Sequence, residues 1–123
     1  MSLTRRRAGL LLMGAALLLA HPDAQEQAPP NRPAFTLVGR NYRYTPDRIG
    51  VTQDDLVTLT IRSEDVAYSF AIDEYRIVRR VPAGGSTTFE FRADRPGTFR
   101  FYSSLTSDSA HADMQGQLVV RPR

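Results

Sequence analysis

His111 and Met114 stand three residues apart in the polar stretch YSSLTSDSAHADM, and they are one of two histidines and the last of three methionines in the chain. An imidazole and a thioether are donors that suit Cu(I), and the nearby carboxylates of Asp108 and Asp113 would extend the set toward Cu(II) or Zn(II). Two good ligands leave such a shell incomplete. The same stretch holds Ser107, Asp108 and His111, the residue types of a hydrolytic triad, but no oxyanion hole or nucleophile-elbow motif accompanies them. The plainer expectation is that Met114 fills one end of a core and His111 is a solvated or hydrogen-bonded loop residue.

The chain contains no cysteine. That excludes a disulfide framework, a thiolate metal site and a cysteine nucleophile together. All sixteen basic residues are arginine, which reads as a composition bias rather than a site. The formal charge of +3 owes much to Arg5, Arg6 and Arg7. Without the segment through Ala24, thirteen arginines face twelve acids, and no basic stripe with interleaved aromatics remains, so no nucleic-acid partner is expected.

The first residues, MSLTRRRAGLLLMGAALLLAHPDAQ, pair a cationic head with an apolar run from Ala8 to Ala20. This is the plan of a bacterial secretory signal peptide. The run is shorter than the roughly 20 residues a spanning helix takes, so removal is expected rather than anchoring, and no membrane span remains afterwards. Cleavage after Ala20 or Ala24 leaves Leu18 or Pro22 three positions from the end, and neither fits the small-residue rule. The three arginines suit a general secretory signal better than a twin-arginine one. A chain cut after Ala20 would begin with His21, whose imidazole and free amine could chelate Cu(II). Residues 1–24 are therefore expected to be a signal peptide, residues 25–33 (QEQAPPNRP) a proline-rich linker, and residues 34–123 a single folded domain in the periplasm or outside the cell.

From Phe35 onward no helical period lasts three turns. FTLVGRNYRY alternates weakly and ends at TPDRIG, read as a turn with Pro46 and Gly50. DLVTLTIR alternates clearly, with Val57, Leu59 and Ile61 on one face. AYSFAI, YRIVRRV, STTFEFRA, TFRFYS and GQLVVR follow, separated by turn signals at PAGG and DRPG. Strands recurring every 8 to 12 residues predict an all-β, Greek-key β-sandwich. Its inner face should include Val57, Leu59, Ile61, Phe70, Phe89, Phe91 and Val119.

The order of these pieces resembles a cupredoxin, and within that superfamily the copper-A domain of cytochrome c oxidase subunit II. YTPDRIGVTQDDLVTLTIRSEDVAYSFAI, VPAGGSTTFEFRADRPGTFRFY and HADMQGQLVV carry the resemblance, which runs from Arg43 to Val120. Carried over residue by residue, it puts Tyr68 where that family has its first histidine ligand. Ser103 and Ser107 fall where it has two bridging cysteines, and Leu105 where a glutamate lends its carbonyl. His111 and Met114 match the second histidine and the methionine. A serine hydroxyl is a hard oxygen that stays protonated near neutral pH and cannot replace a bridging thiolate. The resemblance thus implies a scaffold that has lost its electron-transfer centre. The expectation is a non-catalytic, non-redox binding or structural module with no cofactor, working beside a periplasmic or respiratory-complex protein. The alternative is a periplasmic copper carrier or sensor built on His111 and Met114. The spacing also predicts that Tyr68, Ser103, Ser107, His111 and Met114 converge at one end of the sandwich.

Overall fold

The computed structural model describes residues 31–123. The expected signal peptide and most of the linker, with His21, lie outside the described residues. Nine strands follow: β1 (Ala34–Arg40), β2 (Arg43–Thr45), β3 (Arg48–Thr52), β4 (Leu56–Ser63), β5 (Tyr68–Ile72), β6 (Ile77–Val81), β7 (Ser86–Arg92), β8 (Gly97–Tyr102) and β9 (Gln115–Arg121). Two short 3₁₀ turns interrupt them, at Asp73–Tyr75 and at Ser109–Asp113. Among the described residues no helix is long and apolar enough to cross a membrane.

The strands form the expected all-β sandwich. One sheet has the order β2-β1-β4-β7 and the other β3-β9-β8-β5-β6. The pairs β1–β4 and β3–β9 are parallel, and the remaining pairs are antiparallel. Sequence alternation explains why β4 is central. Val57, Leu59 and Ile61 are buried, while Thr58, Thr60 and Arg62 point outward. Opposite it, Thr60 and Thr88 join hydroxyls at 2.8 Å across the outer face.

Between β1 and β2 the chain reverses through Asn41 and Tyr42, which both have positive φ (52° and 60°). Arg40 pairs with Arg43, so this is a two-residue hairpin loop of the kind whose backbone matches the twist of its strands. Asn tolerates that conformation; a tyrosine does so at a cost.

The core contains a stack of aromatic rings. Phe101 lies 5.0 Å from Phe70 and 5.2 Å from Tyr44, centroid to centroid, and the Tyr44 hydroxyl donates to the Ser69 carbonyl at 2.6 Å. Gly116 on β9 admits this stack, because a Cβ there would overlap the Phe101 ring and come within 2.5 Å of the Asp47 carbonyl.

Several expectations need correction. Gly50 lies inside β3 and not in a turn; the chain turns at Pro46 and Asp47. Tyr75 belongs to a 3₁₀ turn and not to the strand that follows. Val119 faces outward and is half-buried, while its neighbours Leu118 and Val120 fill the core. A strand with apolar residues on both faces hides its register, and here pairing with β8 decides it: Val119 opposes Thr98 on the outer face. Phe89 and Phe91 do point inward but are only half-buried, because β7 is an edge strand.

Replacing Phe101 by Ala should cost about 3–5 kcal/mol, as for a fully buried aromatic ring. Replacing the half-buried Phe91 should cost roughly half that. Denaturant melts giving equal losses would contradict this placement of the core.

Candidate functional site

The residues singled out by the sequence come from separate strand ends. Tyr68 opens β5, Ser103 follows β8, His111 lies in the second 3₁₀ turn and Met114 stands just before β9. Tyr68 and Met114 are fully buried, and Ser103 and His111 are 3% and 2% exposed. Four of the five expected members therefore meet at one end of the sandwich.

Ser103 is the polar hub. Its Oγ accepts the Ser69 N–H at 3.1 Å and lies 2.9 Å from His111 Nδ1. The hydroxyl can donate to Nδ1 or accept from it, according to the imidazole tautomer. The Ser103 N–H donates to the Met114 carbonyl at 3.2 Å, and the Met114 N–H to the His111 carbonyl at 3.1 Å. Ser69 Oγ also takes the Ser104 N–H at 2.6 Å. These bonds fasten the loop to β5.

Tyr68 packs where the sequence places a lost ligand, but its hydroxyl turns away from the histidine. It donates to Asp65 Oδ1 at 2.5 Å and accepts the Tyr42 N–H at 3.2 Å. Its ring meets His111 edge-on with centroids 5.8 Å apart. Gly39 on β1 makes room for it: a Cβ there would lie 2.9 Å from the Tyr68 ring and 3.3 Å from Met114 Cε.

Tyr42 is a member of the cluster that sequence reasoning missed. Its ring stands 5.1 Å from His111 and 5.7 Å from Tyr68, and its hydroxyl donates to Asp108 Oδ2 at 2.9 Å. These contacts offset the positive φ at Tyr42. The only signal in the sequence was the turn-forming Asn41 before it. Asp65 was missed as well. It also accepts the Asn41 N–H at 2.9 Å, so one carboxylate joins the hairpin loop to β5.

Ser107 does not join the cluster. It is exposed and makes no side-chain hydrogen bond to the described residues, because Asp108 beside it caps the 3₁₀ turn and the chain turns inward only at His111. Leu105 is half-buried and lines a surface groove with Tyr102 and Ser104. Asp108 spends its oxygens on the Ala110 N–H and the Tyr42 hydroxyl, and Asp113 is exposed. The Ser107–Asp108–His111 triad is therefore not assembled, since His111 bonds Ser103 and Asp108 bonds Tyr42.

The ionisations follow from these contacts. Burial, then the Asp65 hydrogen bond, pushes the Tyr68 hydroxyl up to about 12. For Asp65, desolvation is the largest single influence and acts upward. The hydrogen bonds from the Asn41 N–H, the Tyr68 hydroxyl and the Val66 N–H together outweigh it and hold the carboxyl below its usual value. The Ala110 N–H, then the Tyr42 hydroxyl, hold Asp108 low in the same way.

With this geometry in place, the family is decided by sequence. The model of the cupredoxin-like domain matches residues 9–120. This chain belongs to the cupredoxin-like domain family. A stretch of 76 residues is 30% identical to nitrous-oxide reductase of Stutzerimonas stutzeri, covering 58% of this chain and 12% of that protein's length. In three dimensions the chain is similar to a chain of a heme-copper terminal oxidase dimer (TM-score 0.64, 16% identity, covering 94% of this chain and 99% of that one). It is similar to auracyanin B as well (TM-score 0.64, 15% identity, covering 77% and 92%). The fold is thus that of copper proteins and of an oxidase chain.

The residues present do not fit the family's thiolate-bound copper. The chain has no thiolate, and among the described residues no group of three or more His, Cys, Asp or Glu side chains converges. His111 Nδ1 is already engaged by Ser103, and the neighbouring space is filled by Tyr68 and Met114 packed over Gly39.

Ser103→Ala should cost about 1–3 kcal/mol, because it strands the Ser69 N–H and His111 Nδ1 in a buried place. A loss below about 0.5 kcal/mol in denaturant melts would remove Ser103 from its central position. Asp65 gives a pH test. Its folded pKa is lowered, so its stabilisation is present above the ordinary aspartate value of 3.8 and is lost as pH falls through the lowered value. Thermal midpoints should decline in acid, and Asp65→Asn should flatten part of that decline. Identical acid profiles for the two proteins would contradict the assignment.

Proposed function

We propose that this chain is an exported cupredoxin-like module that acts by binding or by supporting an assembly, with neither a redox centre nor a catalytic one. The bond between Ser103 Oγ and His111 Nδ1 carries the reading. It gives the buried imidazole a protein partner in place of a metal, and Tyr68 fills the adjoining space with a packed ring. The complete lack of cysteine supports the same conclusion, since neither a copper-A nor a blue-copper centre is built without thiolate.

The cationic head and apolar run in the sequence of residues 1–24 support a periplasmic or secreted location. Similarity to a terminal-oxidase chain supports a partner among respiratory or other periplasmic assemblies. A groove beside the cluster, lined by Tyr42, Arg43, Asp47 and Asp113 among others, supplies a polar surface at the same end of the molecule.

Copper remains the measurement that decides against the rival reading, in which His111 and Met114 make the chain a carrier or sensor. Titration of Cu(I) against a competing chelator should give a dissociation constant of about 1 μM or weaker for the wild type, because two ligands leave the shell open. Incubation with copper should produce no intense visible band. A nanomolar constant abolished by His111→Ala or Met114→Ala would replace the binding-module reading with the copper-carrier one.

A further inference from the structure

The two outer faces of the sandwich carry arginine in different ways. On the four-stranded sheet, Arg40, Arg62 and Arg92 each lie near a carboxylate: Arg40 and Arg62 at 3.8 and 3.3 Å from Glu64, and Arg92 at 3.5 Å from Asp54. On the five-stranded sheet, alternation turns Arg48 of β3, Arg100 of β8, Arg80 of β6 and Arg121 of β9 outward. Register aligns Arg48, Gln117 and Arg100 across three neighbouring strands, and sets Arg80 beside Ser69. No strand position on this outer face holds an aspartate or glutamate. Among the described residues none of these four arginines has a carboxylate within the 4.0 Å of an ion pair.

Three of the guanidinium groups are held by neutral partners. Arg48 donates to Gln117 Oε1 at 2.9 Å, Arg100 lies 4.2 Å over the Tyr102 ring and Arg121 donates to Thr52 Oγ1 at 3.3 Å. Between Arg80 and Arg100, Val78 is 63% exposed and pairs with Ala71, which pairs in turn with Tyr102. One carboxylate stands at the end of β5, where Asp73 Oδ1 accepts from the hydroxyl of the Tyr102 ring that Arg100 covers, at 2.7 Å. The face is thus an amide centre with one exposed valine, flanked by more cations than carboxylates, and none of the four arginines is in an ion pair among the described residues.

We propose that the outer face of the five-stranded sheet docks a carboxylate-rich protein surface. Guanidinium forks match carboxylates in geometry, and arginine with tyrosine is enriched where proteins meet. A protein surface suits this face better than the other polyanions. Its centre is amide-lined, with Val78 as a single exposed apolar side chain, too little to anchor in a lipid layer, and only one aromatic ring, itself covered by Arg100, to stack a base. Five strands at about 4.8 Å spacing and about 3.3 Å per residue give a face of roughly 400 Å². That is below the approximately 800 Å² per partner of a standard stable interface, so the contact is transient and salt-sensitive.

This inference adds a partner to the binding-module reading, and it is independent of whether His111 and Met114 take up copper. The test compares the full chain with two triple variants of equal charge change: Arg48→Gln/Arg80→Gln/Arg100→Gln, and Arg40→Gln/Arg62→Gln/Arg92→Gln on the opposite sheet. The probe is poly-L-glutamate, beside phosphatidylglycerol vesicles and duplex DNA. The first variant should weaken poly-glutamate binding about tenfold or more, and the second by about twofold or less. Amide shifts of the wild type on adding poly-glutamate should concentrate on β8, β9 and β6, which reads the face even if a variant fails to fold. Equal effects of the two variants, shifts centred on the other sheet, or tighter binding of vesicles or DNA than of poly-glutamate would each overturn the proposal.

Discussion

The end of the sandwich where the candidate site lies is organised by one buried hydroxyl. Ser103 Oγ takes a hydrogen bond from the backbone of β5 and meets the imidazole of His111, so it joins two segments far apart in sequence. Backbone bonds from Ser103 to Met114, and from Met114 to His111, close the loop on itself. A buried imidazole without a partner would be costly, and so would the Ser69 N–H. No buried side-chain nitrogen or oxygen among the described residues lacks a partner. A metal-ligand bond is not needed to hold this loop, because hydrogen bonds and packing do so.

The surrounding aromatic groups make the arrangement rigid. Tyr42, Tyr68 and His111 meet edge to face, which is a favoured geometry for rings with negative faces and positive edges. Each tyrosine hydroxyl donates to a carboxylate, Asp108 for Tyr42 and Asp65 for Tyr68. Those carboxylates in turn accept backbone N–H groups, from Ala110 and from Asn41. The β1–β2 hairpin, the start of β5 and the second 3₁₀ turn are thereby connected through side chains. Tyr68, Met114 and the Ser103–His111 pair thus pack this end of the sandwich closely.

Arginine without lysine shapes those faces. Guanidinium can stack on a ring, as Arg79 does 4.8 Å over Phe89 and Arg100 does over Tyr102, while keeping its charge toward solvent. Arg79 covers the half-buried Phe89 at the boundary of the edge strands β6 and β7, and it donates to the Val78 carbonyl at 3.1 Å. An arginine at that boundary shields apolar surface and discourages pairing of the edge with another strand. The same residue type therefore guards an edge in one place and presents free charge in another.

Alternation by itself was enough to reveal the β-sandwich, the central place of Val57, Leu59 and Ile61, and the burial of Phe70, because a period of two assigns side chains to faces before any partner is known. The absence of cysteine excluded a thiolate-bound copper centre built from this chain alone, since no fold can supply a missing thiolate. The spacing of Ser103, His111 and Met114 foretold that they meet. Tertiary structure decided the rest. Val119 lies outward because pairing with β8 sets the register of an apolar strand. Phe91 is half-buried because β7 is an edge. Ser107 stays in solvent because it precedes Asp108, the cap of the 3₁₀ turn, and lies outside the segment that turns inward at His111. Tyr42 and Asp65 enter the site through contacts spanning 26 and 24 residues, to Tyr68 and Asn41. Such contacts leave no periodic trace, since hydrogen bonds and ring packing depend on positions in space that only the folded chain brings together.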